Sequence, residues 1–244
     1  MPENFYNSLS KNISHPSDLL WKACELEVLK QSSITFKNPI IDIGSGNGFL
    51  MDSFFDKRVI DFGIDAHPWK NQSQAYREII CSDIEKECNF SNDSINTVLS
   101  FVTLHLLSNL DFVLIQIHRI LSKNGILIFT VPSNEFSKML FFNFLGSWYA
   151  KYRNKKLKNY HLYSEEEWRL ILEKKGFKEI RIIGFMGGNK LKLWDFLASI
   201  YFFSLGRYAY NFLRKVGFEK YIKSLSQRED KKSFSAFLII AKKK

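Results

Sequence analysis

The sequence predicts an α/β fold: a buried, mostly parallel β-sheet with helices on both faces. Three observations predict it. Short apolar runs recur through the chain with helical patterns between them. The runs are near-continuously apolar, as in strands covered on both sides. Gly, Pro and Asn-Asp signals punctuate the joints.

The elements follow in order. Pro39 to Gly44 is a strand opened by proline and closed by glycine. Gly48 to Lys57 carries Phe49, Leu50, Phe54 and Phe55 at helical spacing. Val59–Asp65 is the second strand, Glu78–Asp83 the third and Ser94–Val102 the fourth, the last after the turn signal Asn92-Asp93. Asp111 to Leu121 reads as a helix with Asn124-Gly125 as its C-cap. Gly125–Pro132 is the fifth strand. The run "SEEEWRLILEKKGF" is the clearest helix, with a Ser164/Glu167 capping box and Gly176 at its end. Lys178–Ile183 and Ser235–Ala241 are the sixth and seventh strands. The stretch between them is too long for a bare loop and should hold helices. There is no internal repeat.

Composition sets the outer limits. A chain of 244 residues that is 45% hydrophobic can close one α/β domain with insertions. The expected division is an N-terminal helical segment over 1–37, a core over 38–133, and helical, aromatic insertions over 134–163 and 185–233. The start lacks the apolar run of a signal peptide. Cys24, Cys81 and Cys88 have neither disulfide parity nor metal spacing. Together these read as a cytoplasmic protein with no metal site. The net charge of +10 biases encounters toward anions, although Lys, Asn, Ile and Phe are abundant together, as coding bias alone produces.

The chemistry begins at "PIIDIGSGNGFLMD", Pro39 to Asp52. A strand, a glycine loop and a helix aim backbone N–H groups at a ligand. A triphosphate loop needs Gly-Lys-Ser/Thr, but Phe49 and Leu50 follow Gly48. The dinucleotide fingerprint G-x-G-x-x-G fails because position 49 is Phe. A small adenosine cofactor and a plain tight turn remain. Asp65 follows the first glycine by about 20 residues, the spacing of a ribose-binding acid. "CSD" at the third strand's end offers Asp83 as an acceptor for an adenine amino group.

These residues in this order, followed by "INTVLSFVTLHLL", resemble the class I S-adenosylmethionine-dependent methyltransferases. The similarity is greatest to the small-molecule branch that includes the ubiquinone-biosynthesis methyltransferases. It covers Ile40 to Val131 closely, and "HLYSEEEWRLILEKKGFKEI" more loosely. It implies a Rossmann-like, seven-stranded sheet with the last strand antiparallel, and helical insertions after strand 5 and between strands 6 and 7. It implies S-adenosylmethionine as the cofactor. Asp42 and the loop Gly44-Ser45-Gly46-Asn47-Gly48 would receive the methionine moiety. Asp65 would hold the ribose, Asp83 and Ile84 would frame the adenine, and Ala66 and Ser82 would belong to the same cofactor site. Phe101 and the residues after it would line the methyl side.

Methyl transfer from a sulfonium mainly needs alignment, and a base only when the nucleophile is protonated. His105, after the fourth strand, and His161, before the capped helix, are the candidate bases. His118, in "QIHRIL", reads as structural. The Asn/Asp-Pro-Pro-Tyr/Phe motif of amino-group methylases is replaced by "SFVT", which speaks against methylation of bases in nucleic acid.

Two insertions carry substrate clues. One is "FSKMLFFNFLGSWYAKYRNKKLK", whose Lys151–Lys158 is a basic run. In the other, Leu193, Trp194, Leu197, Ile200 and Tyr201 fall on a wide apolar arc continuing to Phe212, with Lys192, Asp195, Ser199 and Arg207 on a narrow polar one. Its apolar stretch, Phe196–Leu205, is too short to span a bilayer. The expectation is an enzyme methylating oxygen of an apolar or amphipathic small molecule: a lipid, a quinone precursor or a lipid-linked sugar. Peripheral contact with the inner face of a membrane is consistent with it. A non-catalytic cofactor-binding module and an RNA methyltransferase are the alternatives.

Overall fold

A computed structural model describes residues 5–55, 57–69, 73–201, 208, 217–228 and 233–244. Two helices, α1 (Phe5–Asn12) and α2 (Pro16–Gln31), precede the first strand. The strands are β1 (Ile40–Ile43), β2 (Ile60–Asp65), β3 (Tyr76–Cys81), β4 (Ile95–Phe101), β5 (Leu121–Pro132), β6 (Phe177–Gly187) and β7 (Phe234–Lys243). Between them lie α3 (Phe49–Asp52), α4 (Leu110–Ile120), α5 (Ser147–Leu157), α6 (Glu165–Lys174), α7 (Gly188–Ile200) and α8 (Phe218–Ser226).

The seven strands form one sheet in the order β3-β2-β1-β4-β5-β7-β6. β1 to β5 pair in parallel, and β7 runs antiparallel between β5 and β6. This is the Rossmann-like architecture expected. β7 shows why it holds. Ala236, Leu238 and Ile240 enter the core on one face, and Phe237, Ile239 and Ala241 the core on the other. Period-2 alternation with apolar residues at every step can only suit a strand buried on both sides. α1, α2 and α7 cover the first face, and α4 and α6 the second.

Local signals explain several joints. The capping box of α6 is formed: Ser164 Oγ accepts from Glu167 N at 3.2 Å, and Glu167 Oε2 from Ser164 N at 2.7 Å. α2 opens on Pro16 at its first turn, where a missing N–H costs nothing. It is buried almost all round, as a helix packed between sheet and neighbours must be.

Three expectations are corrected. Asn124-Gly125 does not cap α4. The helix ends into extended Leu121, and Asn124 (φ 61°) marks an irregularity within β5, where the pairing jumps from Ile95↔Leu121 to Thr97↔Ile126. The helix expected over Gly48–Lys57 is only the single turn α3. Asp195, placed by periodicity on a polar arc, is fully buried against α5. The rest of the expected apolar arc, beyond Tyr201, lies outside the described residues apart from Tyr208. Among the described residues no helix is long and apolar enough to cross a membrane, and no group of three or more His, Cys, Asp or Glu could hold a metal ion.

Candidate active site

The carboxyl ends of β1 to β5 lie along one edge of the sheet, the edge at which ligands bind in such folds. At β1 the chain turns through Gly44 (φ 77°) and Gly46 (φ 56°). A Cβ on Gly44 would stand 2.1 Å from Thr103 Oγ1, so Thr103 fills that space. A Cβ on Gly46 would meet nothing within 4 Å, so this glycine leaves its backbone open to a ligand. Asp65 fixes the loop. Its Oδ2 accepts from Gly46 N at 2.8 Å and its Oδ1 from His67 N at 2.9 Å. An ionised carboxylate has about four acceptor sites, so room remains for hydroxyl donors.

Asp42 lies beneath the loop, 3% exposed. Its Oδ2 accepts from Tyr76 Oη at 2.5 Å, while its Oδ1 is buried without a partner. Burial pushes this carboxyl up to about 7, against the pull of the Tyr76 bond and nearby Lys22. A buried acceptor lacking a donor is costly unless a ligand supplies one. Asp83 takes a different environment. Lys86 Nζ lies 3.1 Å from its Oδ2, and Glu85 N donates to Oδ1 at 3.1 Å. These partners hold its carboxyl below the usual range. Ser82 and Ala66 flank these strand ends, with Cys81 Sγ 3.8 Å from the Ala66 carbonyl. Ile84 and Phe101 are buried, Phe101 in the core under α2 rather than on an open face.

The residue after Phe101 is the more exposed to function. Val102 holds φ 56°, an outlier for a β-branched side chain, of the kind that clusters at functional sites. Its N–H donates to Thr130 O and to Thr130 Oγ1, both at 3.1 Å. The Thr130 hydroxyl donates in turn to Glu25 Oε1, and Lys22 Nζ reaches Glu25 Oε2 at 2.7 Å. Glu25 is fully buried. A cavity of about 230 Å³ adjoins this network, its walls formed by Trp21, Val102, Leu106, Pro132, Phe136 and Trp194. Lys22, His105, Asn159 and Asp18 are its polar residues.

The two candidate histidines diverge. His105 is in the cavity, and its Nδ1 is buried with no partner. Burial, with Lys22 and His161 nearby, lowers it to about 3, and the Asn159 side chain partly opposes the shift by hydrogen bonding to it. Asn159 Nδ2 donates to Asn154 Oδ1 at 3.2 Å. His161 uses both ring nitrogens, Nε2 on Leu107 O at 2.8 Å and Nδ1 on Tyr163 Oη at 3.0 Å. It lines a separate cleft with Asp111 and Lys175. His118 packs edge-on against Phe177, 5.3 Å between ring centres.

Sequence reading missed Lys22, Glu25, Tyr76, Thr103 and Thr130. A signal existed for the first two. Within "LLWKACELEVL", Lys22 and Glu25 stand three apart, on one helical face, in a run that is apolar apart from these two and Glu27. A larger cleft, about 890 Å³, sits at the opposite edge of the sheet, lined by Lys37, Asn124, Glu179, Arg181 and Lys242, far from these groups.

A family model described as "Methyltransferase domain" matches residues 22–181. The chain belongs to this family and is a class I S-adenosylmethionine-dependent methyltransferase. Solved structures agree in fold. A SAM-dependent methyltransferase from Thermotoga maritima matches with TM-score 0.55 and 18% identity over 92% of this chain and 91% of that one. A chain from the complex of the Haloferax volcanii Trm112 methyltransferase activator with its methyltransferase gives 0.59 and 14%, covering 99% and 98%. Haemonchus contortus phosphoethanolamine N-methyltransferase 2 gives 0.53 and 16%, covering 98% of this chain and 60% of that one. No curated protein matches the sequence.

Proposed function

We propose that the chain methylates a hydroxyl oxygen on a ring-sized apolar or amphipathic acceptor seated in the cavity beside His105. One observation carries the reading: His105, whose Nδ1 is buried and unpartnered, lines a cavity walled by aromatic rings. Among the classes expected from sequence, a quinone-precursor ring suits these walls best. A sugar would bring hydroxyls that Trp21, Phe136 and Trp194 cannot satisfy. A volume of about 230 Å³ lies below the range for drug-sized ligands, which supports entry of one ring rather than a whole lipid. The polar groups are few and the cavity is no basic trench, which speaks against RNA.

Bound at the glycine loop, S-adenosylmethionine supplies an electrophilic methyl group on a sulfonium. Asp42 would take its ammonium on the orphan Oδ1, Gly46 would give it backbone approach, and Asp65 would accept from its ribose hydroxyls. Ser82, Asp83, Ile84 and Ala66 would frame the adenosine. His105 Nδ1 receives the acceptor's hydroxyl hydrogen and fixes the oxygen's direction. Its depressed pKa makes it a weak base. A weak base suffices, because an oxygen that is gaining a methyl group sheds its proton readily. The Lys22 ammonium, held by Glu25, lowers the cost of negative charge on that oxygen.

The test is transfer of label from methyl-labelled cofactor to a lipid-soluble extract or a panel of phenols. A labelled ether product is expected. Calorimetry is run in parallel. Cofactor binding without transfer to any acceptor would leave a binding module in place of an enzyme, and label on nitrogen would remove the oxygen assignment.

A further inference from the structure

α5 has two faces of opposite character. Tyr149, Arg153 and Leu157, four apart, turn inward. Tyr149 Oη lies 2.9 and 3.0 Å from the two oxygens of buried Asp195, and Arg153 Nε pairs with the same carboxylate at 3.0 Å. Leu157 reaches the cavity wall. The outward face carries Trp148, 59% exposed, and Tyr152, with Lys151, Lys155 and Lys156 around them. Just before this helix, Phe144 is 75% exposed beside exposed Leu145. Phe141 joins the cluster, 6.3 Å from Phe144 and 5.3 Å from Phe196 of α7 between ring centres.

A cluster of this size on the surface of a folded domain marks a binding face. Its chemistry narrows the occupant. From Phe136 to Ser164 the sequence contains no Asp or Glu, but it contains Lys138, Lys151, Arg153, Lys155, Lys156 and Lys158. Apolar side chains at the tip with a rim of lysines match the two layers of a membrane surface: acyl chains below, anionic headgroups above. Trp and Tyr are the residues that settle at that boundary.

We infer that the Phe141–Lys156 face docks on an anionic lipid bilayer, with Phe144, Leu145 and Trp148 entering the interface and Lys151, Lys155 and Lys156 meeting headgroups. The inference stands apart from the methyl acceptor, since it needs only the surface. It gives the acceptor cavity a place. Leu157 and Trp194 wall the cavity from α5 and α7, the two helices that also present Trp148, Tyr152 and Phe196.

The experiment is co-sedimentation of the full chain with phosphatidylcholine vesicles, with and without phosphatidylglycerol. Binding to the anionic vesicles is expected, with little to the neutral ones. Phe144→Ser with Trp148→Ser should reduce partitioning about tenfold or more, and so should Lys151, Lys155 and Lys156 changed together to Gln. Both variants should keep cofactor affinity, which reports folding. A chain that stays in solution with anionic vesicles overturns the inference. So does binding that survives both variants. If the aromatic variant instead breaks a dimer seen by light scattering, or RNA retention depends on the lysines alone, the face serves a second copy or a nucleic acid, and the bilayer is excluded.

Discussion

The two halves of the site are built by different means. The proposed cofactor half is made of backbone and carboxylates at successive strand ends: the Gly44–Gly48 turn, Asp42, Asp65 and Asp83. The proposed acceptor half is made of side chains delivered from far apart in sequence: Trp21 and Lys22, His105, Phe136, Asn159 and Trp194. A strand end fixes a ligand atom through the sheet itself. A side-chain wall needs its own supports, and here these are the Glu25–Lys22 pair and the Asp195–Arg153–Tyr149 cluster. The contrast teaches that one half tolerates little change in design, while the other can be retuned helix by helix.

The largest expected effect separates the halves. Asp195→Ala leaves Arg153 buried beside Trp194 without its counter-charge, and should cost about 3–5 kcal/mol. Thermal melting should fall by roughly 10 °C. Below the melting point, calorimetry should find cofactor affinity unchanged. Loss of that affinity would mean the halves are coupled. Asp65→Ala comes next. It removes the anchor of Gly46 N and the proposed acceptor of ribose hydroxyls, and cofactor affinity should fall about 30- to 100-fold. His105→Gln is smaller. It replaces one hydrogen bond to a neutral group, so kcat for labelled methyl transfer should drop about tenfold with cofactor Kd unmoved. A shift in Kd instead would place His105 in the cofactor half.

The smallest effect is on pH. Because Asp42 is pushed up to about 7, its ionised form grows as pH rises through neutrality. Cofactor affinity should tighten a few-fold between pH 6 and pH 8, and Asp42→Asn should flatten the profile. Stability runs the other way. A carboxyl raised above its unfolded value gives full stability below about pH 4 and loses it as pH rises through 7. Asp42→Asn should therefore melt higher than the parent at pH 8 while binding cofactor less well.

The same contrast explains what could be read from sequence. Asp42, the glycines, Asp65 and Asp83 sit at the carboxyl ends of β1 to β3, where strand-turn spacing is set by the sheet. Their order along the chain therefore mirrors their order in space. The capping box of α6 was legible for a similar reason, since both partners lie within one turn. The acceptor half is not local. Nothing in the sequence brings Lys22 to His105, or Asp195 to Arg153, because tertiary packing makes those pairs. Periodicity put Asp195 on a polar arc, and packing against α5 turned that position inward. His105 and His161 were indistinguishable in sequence. They part only where Leu107 and Tyr163 take both nitrogens of His161.

The chain of contacts from Glu25 through the Thr130 hydroxyl to the N–H of Val102 has a practical meaning. It bolts the second helix, α2, to the turn at Val102 that lines the cavity. A fragment trimmed to the β-sheet core, starting near Lys37, would keep every glycine and acid of the cofactor motif. It would also lose the carboxylate that accepts the Thr130 hydrogen bond, the lysine at the cavity and the apolar cover that α1 and α2 give one face. Anyone seeking a minimal catalytic unit of this enzyme should count its first helices as part of the machinery.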